Sequence, residues 1–290
     1  MDKHFLMAPG LADVLEKYDG FIIDLWGVIC DRTGAFPYVY EPLKEMKKQG
    51  KKIFFLSNSP HRCAKLHDVV QEKFKIHRDL YTSLFTSGES MYESFHQGHF
   101  TQRYHVGTTC FVIDTIPNTQ LLEQLGIVKT PNIENADFIL ALDIFENEEG
   151  IQAYTPLMKY AIDLDIPMVC ANIDRCVINE TGEIFYKPGE LFVRYQHMGG
   201  RVLHAFGKPN PYMFKRALKE LFPIKRDKIL VIGDAIATDI TGANEMNLDS
   251  AFVMGGIHSH EFDQNDDQSL IRFFKHHKMH STFCIPKFVL

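Results

Sequence analysis

At 290 residues the chain has the length of one large domain or two moderate ones, and its balance of 45% apolar to 23% charged residues is that of a folded globular protein, not a disordered tail. The 31 Lys and Arg against 37 Asp and Glu leave a formal charge of -6, with no run of like charges that would form an electrostatic track, so a nucleic-acid partner is not expected. No stretch approaches the roughly 18 apolar residues of a membrane span, and the opening "MDKHFLMAPGLADVLEKYDG" lacks an apolar h-region, so no membrane partner is expected and the default address is the cytoplasm.

Strand and helix signals alternate along the chain. "GFIIDLW" reads as a buried strand and "YEPLKEMKKQG" as a helix with Leu43 and Met46 on one face, closed by Gly50. "KKIFFLSN" is a second strand, and "SPHRCAKLHDVVQEKF" a helix that Ser59 can cap with Pro60 at its first position. After a further helix, "SGESMYESFHQG", the rhythm restarts with "RYHVGTTCFVID", "NTQLLEQLGI" and "NADFILALD". "CVINETGEIFY" reads as a hairpin that returns the chain to the first unit. The strands "RVLHAFG", "KILVIGD" and "SAFVMGG" follow, separated by amphipathic helices. Apolar runs without polar alternation, spaced by helices, predict a doubly wound parallel α/β sheet, and the restart without a linker predicts a smaller α/β unit inserted in a loop of the first.

The six cysteines are scattered without a CxxC pair, so reduced thiols serving as small core residues are expected. In doubly wound sheets ligands bind beyond the carboxyl ends of the strands. Four such ends carry polar residues here: Asp24, the pair Ser57 and Asn58, Lys208 in "FGKPNP", and Asp234 in "VIGDAIATD" with Asp239 five residues on. Each alone reads as a cap, a helix start or a solvated charge. Together they are the parts of a phosphoryl-transfer site: a carboxylate nucleophile, a hydroxyl and a lysine for phosphate oxygens, and a second acidic loop for Mg²⁺. Mg²⁺ takes few carboxylates and keeps its waters, which suits Asp24 with Asp234.

The order "DLWGV", "LSN", "GKP" and "GDAIATD" resembles the four motifs of the haloacid dehalogenase (HAD) superfamily, and "TSGE", "CANID" and "GKPNPYMF" resemble its NagD-like, class IIA branch. The resemblance implies a HAD-like, Rossmann-type core in two parts, 1–100 and 185–290, with an α/β cap inserted at 101–184. It implies Asp24 as a nucleophile that becomes an aspartyl phosphate, and Lys208 as the neutralising cation, oriented by Asp239. Ser57 and Asn58 would contact phosphate, with Gly27 and Trp26 of the first motif beside it. Mg²⁺ would be held by Asp24, Asp234 and the Trp26 backbone carbonyl. A cap that closes over the site favours a small phosphorylated metabolite as substrate over a protein.

Trp26, the only tryptophan, is also the departure. Phosphatases of this superfamily typically carry a second Asp there as general acid and base, and losing such a group costs about 10² to 10⁴ in rate. Asp31, His61 or a cap residue such as Asp174 would be a substitute, or the leaving group needs little protonation, or the protein binds phosphometabolites with little turnover. The indole itself reads either as space-filling or as a cover for substrate. Phosphoryl transfer to another acceptor, or dehalogenation, is a further alternative, the latter disfavoured by Asp234; an oxidoreductase is disfavoured because no GxGxxG follows the first strand.

Asn172 and Asp174 could read substrate or serve a turn, and Asp143 has the same ambiguity. Arg32 and Arg175 could bind a second anion or lie on the surface. The histidines of "HSH" and "HHKMH" lie in different segments without an evident acidic partner and read as surface groups. "TFCIPKFVL" reads as a last core strand or a contact between copies, which leaves a homo-oligomer open.

Overall fold

The structure is a computed structural model that describes residues 5–115, 119–178 and 183–290. In chain order its strands are β1 (Leu6–Met7), β2 (Gly20–Ile23), β3 (Lys52–Ser57), β4 (Ser83–Thr86), β5 (Thr109–Asp114), β6 (Val128–Lys129), β7 (Phe138–Asp143), β8 (Met168–Cys170), β9 (Cys176–Ile178), β10 (Ile184–Tyr186), β11 (Val202–Ala205), β12 (Ile229–Gly233), β13 (Asp249–Val253) and β14 (Phe283–Ile285). The chain divides into two compact units, one formed by 1–57, 64–85 and 208–290, the other by 58–63 and 86–207.

The first unit holds a seven-stranded sheet in the order β1-β14-β13-β12-β2-β3-β4, with the pairs from β1 through β3 parallel. β2 and β12 are buried along their whole length, as a strand covered on both faces requires. The helix Tyr40–Lys48 turns Leu43 and Met46 inward as their spacing predicts, and Gly50 follows it at φ +72°, where a side chain would be strained. The "SPHRC" segment departs from expectation, because its helix starts only at Cys63. Ser59 instead accepts the His61 amide on its hydroxyl (3.3 Å) and the Gly88 amide on its carbonyl (3.1 Å). Phe252, Phe262, Phe273 and Phe274 build an aromatic core beside β13, and β14 is a buried core strand.

The second unit holds a five-stranded parallel sheet, β11-β8-β7-β5-β6, and the antiparallel ribbon β9-β10. The ribbon is the expected hairpin, though its Glu180-Thr181-Gly182 turn lies outside the described residues. It does not return the chain to the first unit. Helix Pro188–His197 follows and buries Leu191, Phe192 and Tyr195 in the second core, and β11 then pairs with β8. An apolar run such as "RVLHAF" carries no mark of which sheet it joins, so the second unit extends beyond 101–184 at both ends. All six cysteines are free thiols, four of them buried.

Candidate active site

Parallel register brings the first pair of acids together. Ile23 pairs with Ile232, so β2 and β12 end side by side, and the Asp24 amide donates to the Ile232 carbonyl (2.9 Å). Asp24 follows β2 and Asp234 follows β12, while Asp239 lies in the π-helical turn Ile236–Ile240. Carboxylate oxygens of all three lie within 4.8 Å of one another. Two glycines make room for this crowding. A Cβ on Gly27 or on Gly256 would stand 2.1 Å from Asp234 Oδ2, and Gly27 also has φ +82°. Gly27's amide donates to the Cys30 carbonyl (2.9 Å), so the tangible contribution of Gly27 is space for Asp234. Gly233 plays the same part for Asp239, since a Cβ there would lie 2.2 Å from the Asp239 side chain.

Lys208 enters from the third part of the unit, ahead of the helix Pro211–Leu221, whose cap is the Asn210 side chain accepting from the Tyr212 amide. It is 2% exposed. Its ammonium donates to Asp24 Oδ1 (2.5 Å) and Asp239 Oδ1 (2.7 Å), and Asp239 Oδ2 accepts the Ala235 amide (3.3 Å). Asp234 Oδ2 accepts the Ile257 amide (2.9 Å). Burial pushes the Asp24 carboxyl well above the usual carboxylate range; Lys208 pulls it down, and Asp239 and Asp234 push it up again. With all three ionised, the cluster carries three negative charges against one ammonium, an excess of two. Hard oxygen donors with that excess fit a divalent cation such as Mg²⁺, which Asp24, Asp234 and the Trp26 carbonyl would hold.

Ser57 ends β3, fully buried, one strand over from Asp24. Trp26 is 36% exposed, and its ring meets Phe74 edge to face at 6.1 Å. The indole therefore packs on an aromatic wall of its own unit, which favours the space-filling reading. Asp31 is unsuited to replace the missing acid. Its slight burial raises the carboxyl, but hydrogen bonds from the Thr33 hydroxyl and amide and the Gly34 amide outweigh this and hold it below the usual range, so it stays ionised.

Asn58, Asp143, Asn172, Asp174 and Arg175 fall in the second unit. Asn58 Nδ2 donates to Asp174 Oδ1 (2.8 Å), and the Asp174 amide donates to Asn172 Oδ1 (2.8 Å), an Asx turn that engages the Asn172 side chain locally. Asp143 is paired with Lys187 (2.9 Å), and Arg175 with Glu190 (2.8 Å). Sequence reasoning missed one group in the first unit. His258 is largely buried beside Glu261 and His277, so these histidine segments do meet, and they have an acidic partner. The signal available was "GGIHSHE", a histidine two residues beyond a glycine pair at a strand end.

A parallel sheet with acids at its strand ends, a buried lysine between two of them and an inserted α/β unit is the architecture of the haloacid dehalogenase-like hydrolases. The family profile of that description matches residues 21–128, and a second, HAD-hydrolase-like, matches 205–271. Both profiles describe haloacid dehalogenase-like hydrolases, and the chain belongs to that superfamily. Among solved structures it is similar to a haloacid dehalogenase-like hydrolase of Brucella suis 1330 (TM-score 0.79, 23% identity, covering 98% of this chain and 100% of that one). It is also similar to the p-nitrophenyl phosphatase of Archaeoglobus fulgidus (TM-score 0.67, 20% identity, 94% and 97%). Among characterised proteins, mouse Chronophin is 21% identical over 257 residues, 88% of this chain and 87% of Chronophin.

Proposed function

We propose that the protein is a HAD-type phosphatase that hydrolyses small phosphate esters with Mg²⁺, through a phosphoryl group carried on Asp24. The observation that supports this most is the buried contact of Lys208 with Asp24 and Asp239, with Asp234 completing the set of oxygens. The relatives named phosphatases support the same reaction class.

In the first step an Asp24 oxygen attacks the phosphorus, the bond to the ester oxygen breaks, and an acyl phosphate forms on Asp24. In the second, water attacks the same phosphorus, inorganic phosphate leaves and the Asp24 carboxylate returns. Lys208 offsets charge on the carboxylate and the phosphoryl oxygens in both steps, and Asp239 fixes its ammonium by the second hydrogen bond. The buried Ser57 hydroxyl holds a phosphoryl oxygen. Mg²⁺, when bound, neutralises phosphoryl charge that the protein dipoles leave uncovered. The unit 86–207 takes the part of the inserted cap.

An indole at position 26 neither protonates the departing oxygen nor deprotonates the water. The reading therefore predicts a fast first step only for esters whose leaving groups are weak bases, and a slow second step for all of them. The specific observation of Trp26 packed on Phe74, with Asp31 held ionised, also favours a second reading, a phosphometabolite-binding protein with slow turnover. One assay separates the two. Phosphate release from p-nitrophenyl phosphate and a panel of alkyl phosphates is measured with and without Mg²⁺, beside Asp24→Asn. Mg²⁺-dependent release that vanishes in the variant supports the phosphatase; ligand binding without release supports the second reading.

A further inference from the structure

The loop after β13 touches the Asp234 segment twice. Ile257 donates its amide to the Asp234 carboxylate, and one residue on, His258 Nε2 accepts the Ile236 amide (3.2 Å). Ile236 opens the π-helical turn Ile236–Ile240, where the first amides lack a partner within the turn, so the imidazole satisfies a donor that the turn leaves over. A ring nitrogen that accepts is unprotonated, which places the proton of the neutral ring on Nδ1. Nδ1 lies 2.5 Å from Glu261 Oε1 and donates to it. Phe252 and Phe273 wall the ring, at 6.2 and 5.3 Å between centroids.

The charged and titratable groups facing this imidazole are Glu261, His277 and His260. Burial holds the imidazole below its usual range, against the pull of Glu261, which keeps the ring neutral as the accepted hydrogen bond requires. The carboxylate therefore fixes tautomer and orientation, the arrangement by which a partner group tunes residues around a metal.

We infer that His258, oriented by Glu261, is a positioning residue that holds the Asp234 loop in the conformation in which its carboxylate joins Asp24 and Asp239. The link to metal affinity rests on the reading of that cluster as a divalent-cation site; the clamp on the loop does not. Two variants of His258 separate an acceptor from a space-filler. His258→Leu removes the acceptor, whereas His258→Gln returns an amide oxygen near the position of Nε2. Glu261→Ala leaves the ring in place but lets it turn.

The readouts are backbone hydrogen exchange over residues 235–240 and Mn²⁺ affinity by electron paramagnetic resonance, with Mn²⁺ alone as the probe. The Leu variant should exchange the Ile236 amide about tenfold faster and bind Mn²⁺ about tenfold more weakly than wild type. The Gln variant should recover to within about twofold, and Glu261→Ala should also quicken exchange. Unchanged exchange in the Leu and Ala variants, or a Gln variant as impaired as Leu, overturns the clamp. If His258→Leu does not fold, the Gln and Ala variants still decide by the same comparison. Wild type that binds no Mn²⁺ would strike the cation reading, while the exchange pattern still decides the clamp.

Discussion

Replacing Asp24 by Asn should abolish phosphate release and, in the absence of divalent cation, make the protein more stable. At an effective dielectric constant of about 20, two carboxylate charges 4.8 Å apart repel by about 3.5 kcal/mol, and the Lys208 ammonium 2.5 Å from Asp24 attracts by about 7 kcal/mol. Repulsion by Asp234 and Asp239 thus roughly cancels attraction by Lys208. Burial then decides the sign, and it opposes the ionised carboxylate. Asn removes the buried charge and keeps a hydrogen-bonding side chain, so a gain of about 1 to 3 kcal/mol is expected at neutral pH.

The pH dependence follows from the raised Asp24 value. A carboxyl raised in the fold contributes its stability fully below the unfolded carboxylate value and loses it as pH climbs through the folded one. The advantage of Asn over Asp should therefore be absent in acid and open as pH rises. Thermal melts in chelator across that range measure it, at about 2 to 4 °C per kcal/mol for units of this size. Added Mg²⁺ should raise the wild-type midpoint more than that of the variant. An Asp24→Asn protein that is less stable than wild type in chelator at neutral pH, and equally responsive to Mg²⁺, would refute the reasoning.

Gly256→Ala sets a methyl group against the Asp234 carboxylate at 2.1 Å, so the half-saturating Mg²⁺ concentration should rise about tenfold or more in a metal titration of phosphate release. Trp26→Asp restores a donor for the first step and a base for the second, so steady turnover of alkyl phosphates and of p-nitrophenyl phosphate should both rise by about 10² or more, while the rate of the p-nitrophenol burst changes far less; unchanged steady turnover would count against the missing-acid account. Asp31→Asn should leave the rate within about twofold, because that carboxylate is committed to Thr33 and Gly34, and a loss near 10² would reinstate Asp31 as the acid.

The acids at the strand ends were legible in the sequence for a physical reason. An apolar run that stops at Asp24, Ser57 or Asp234 marks a strand end, and parallel strands place such ends on one edge. Lys208 was legible only through its neighbours in the motif, since "FGKPNP" alone does not say that the lysine is buried. The allegiance of β11 was hidden because pairing partners are set by the whole sheet and not by the strand's own residues. The first motif places Gly27 beside phosphate, but nothing in the sequence says that Gly27 and Gly256 leave room for Asp234. His258 reads in the sequence as a surface group, and only the fold brings the Ile236 amide and Glu261 to its two ring nitrogens.

The central claim is that Asp24 carries the phosphoryl group, and the most direct measurement looks for that group. With p-nitrophenyl phosphate and Mg²⁺ the first step needs no proton donor, whereas the second lacks a base at Trp26, so the intermediate should accumulate. Rapid acid quenching followed by mass spectrometry should find the peptide containing Asp24 heavier by one phosphoryl group, with a burst of p-nitrophenol of matching size. Steady phosphate release with Asp24 unmodified, or release undiminished in Asp24→Asn, would contradict the account.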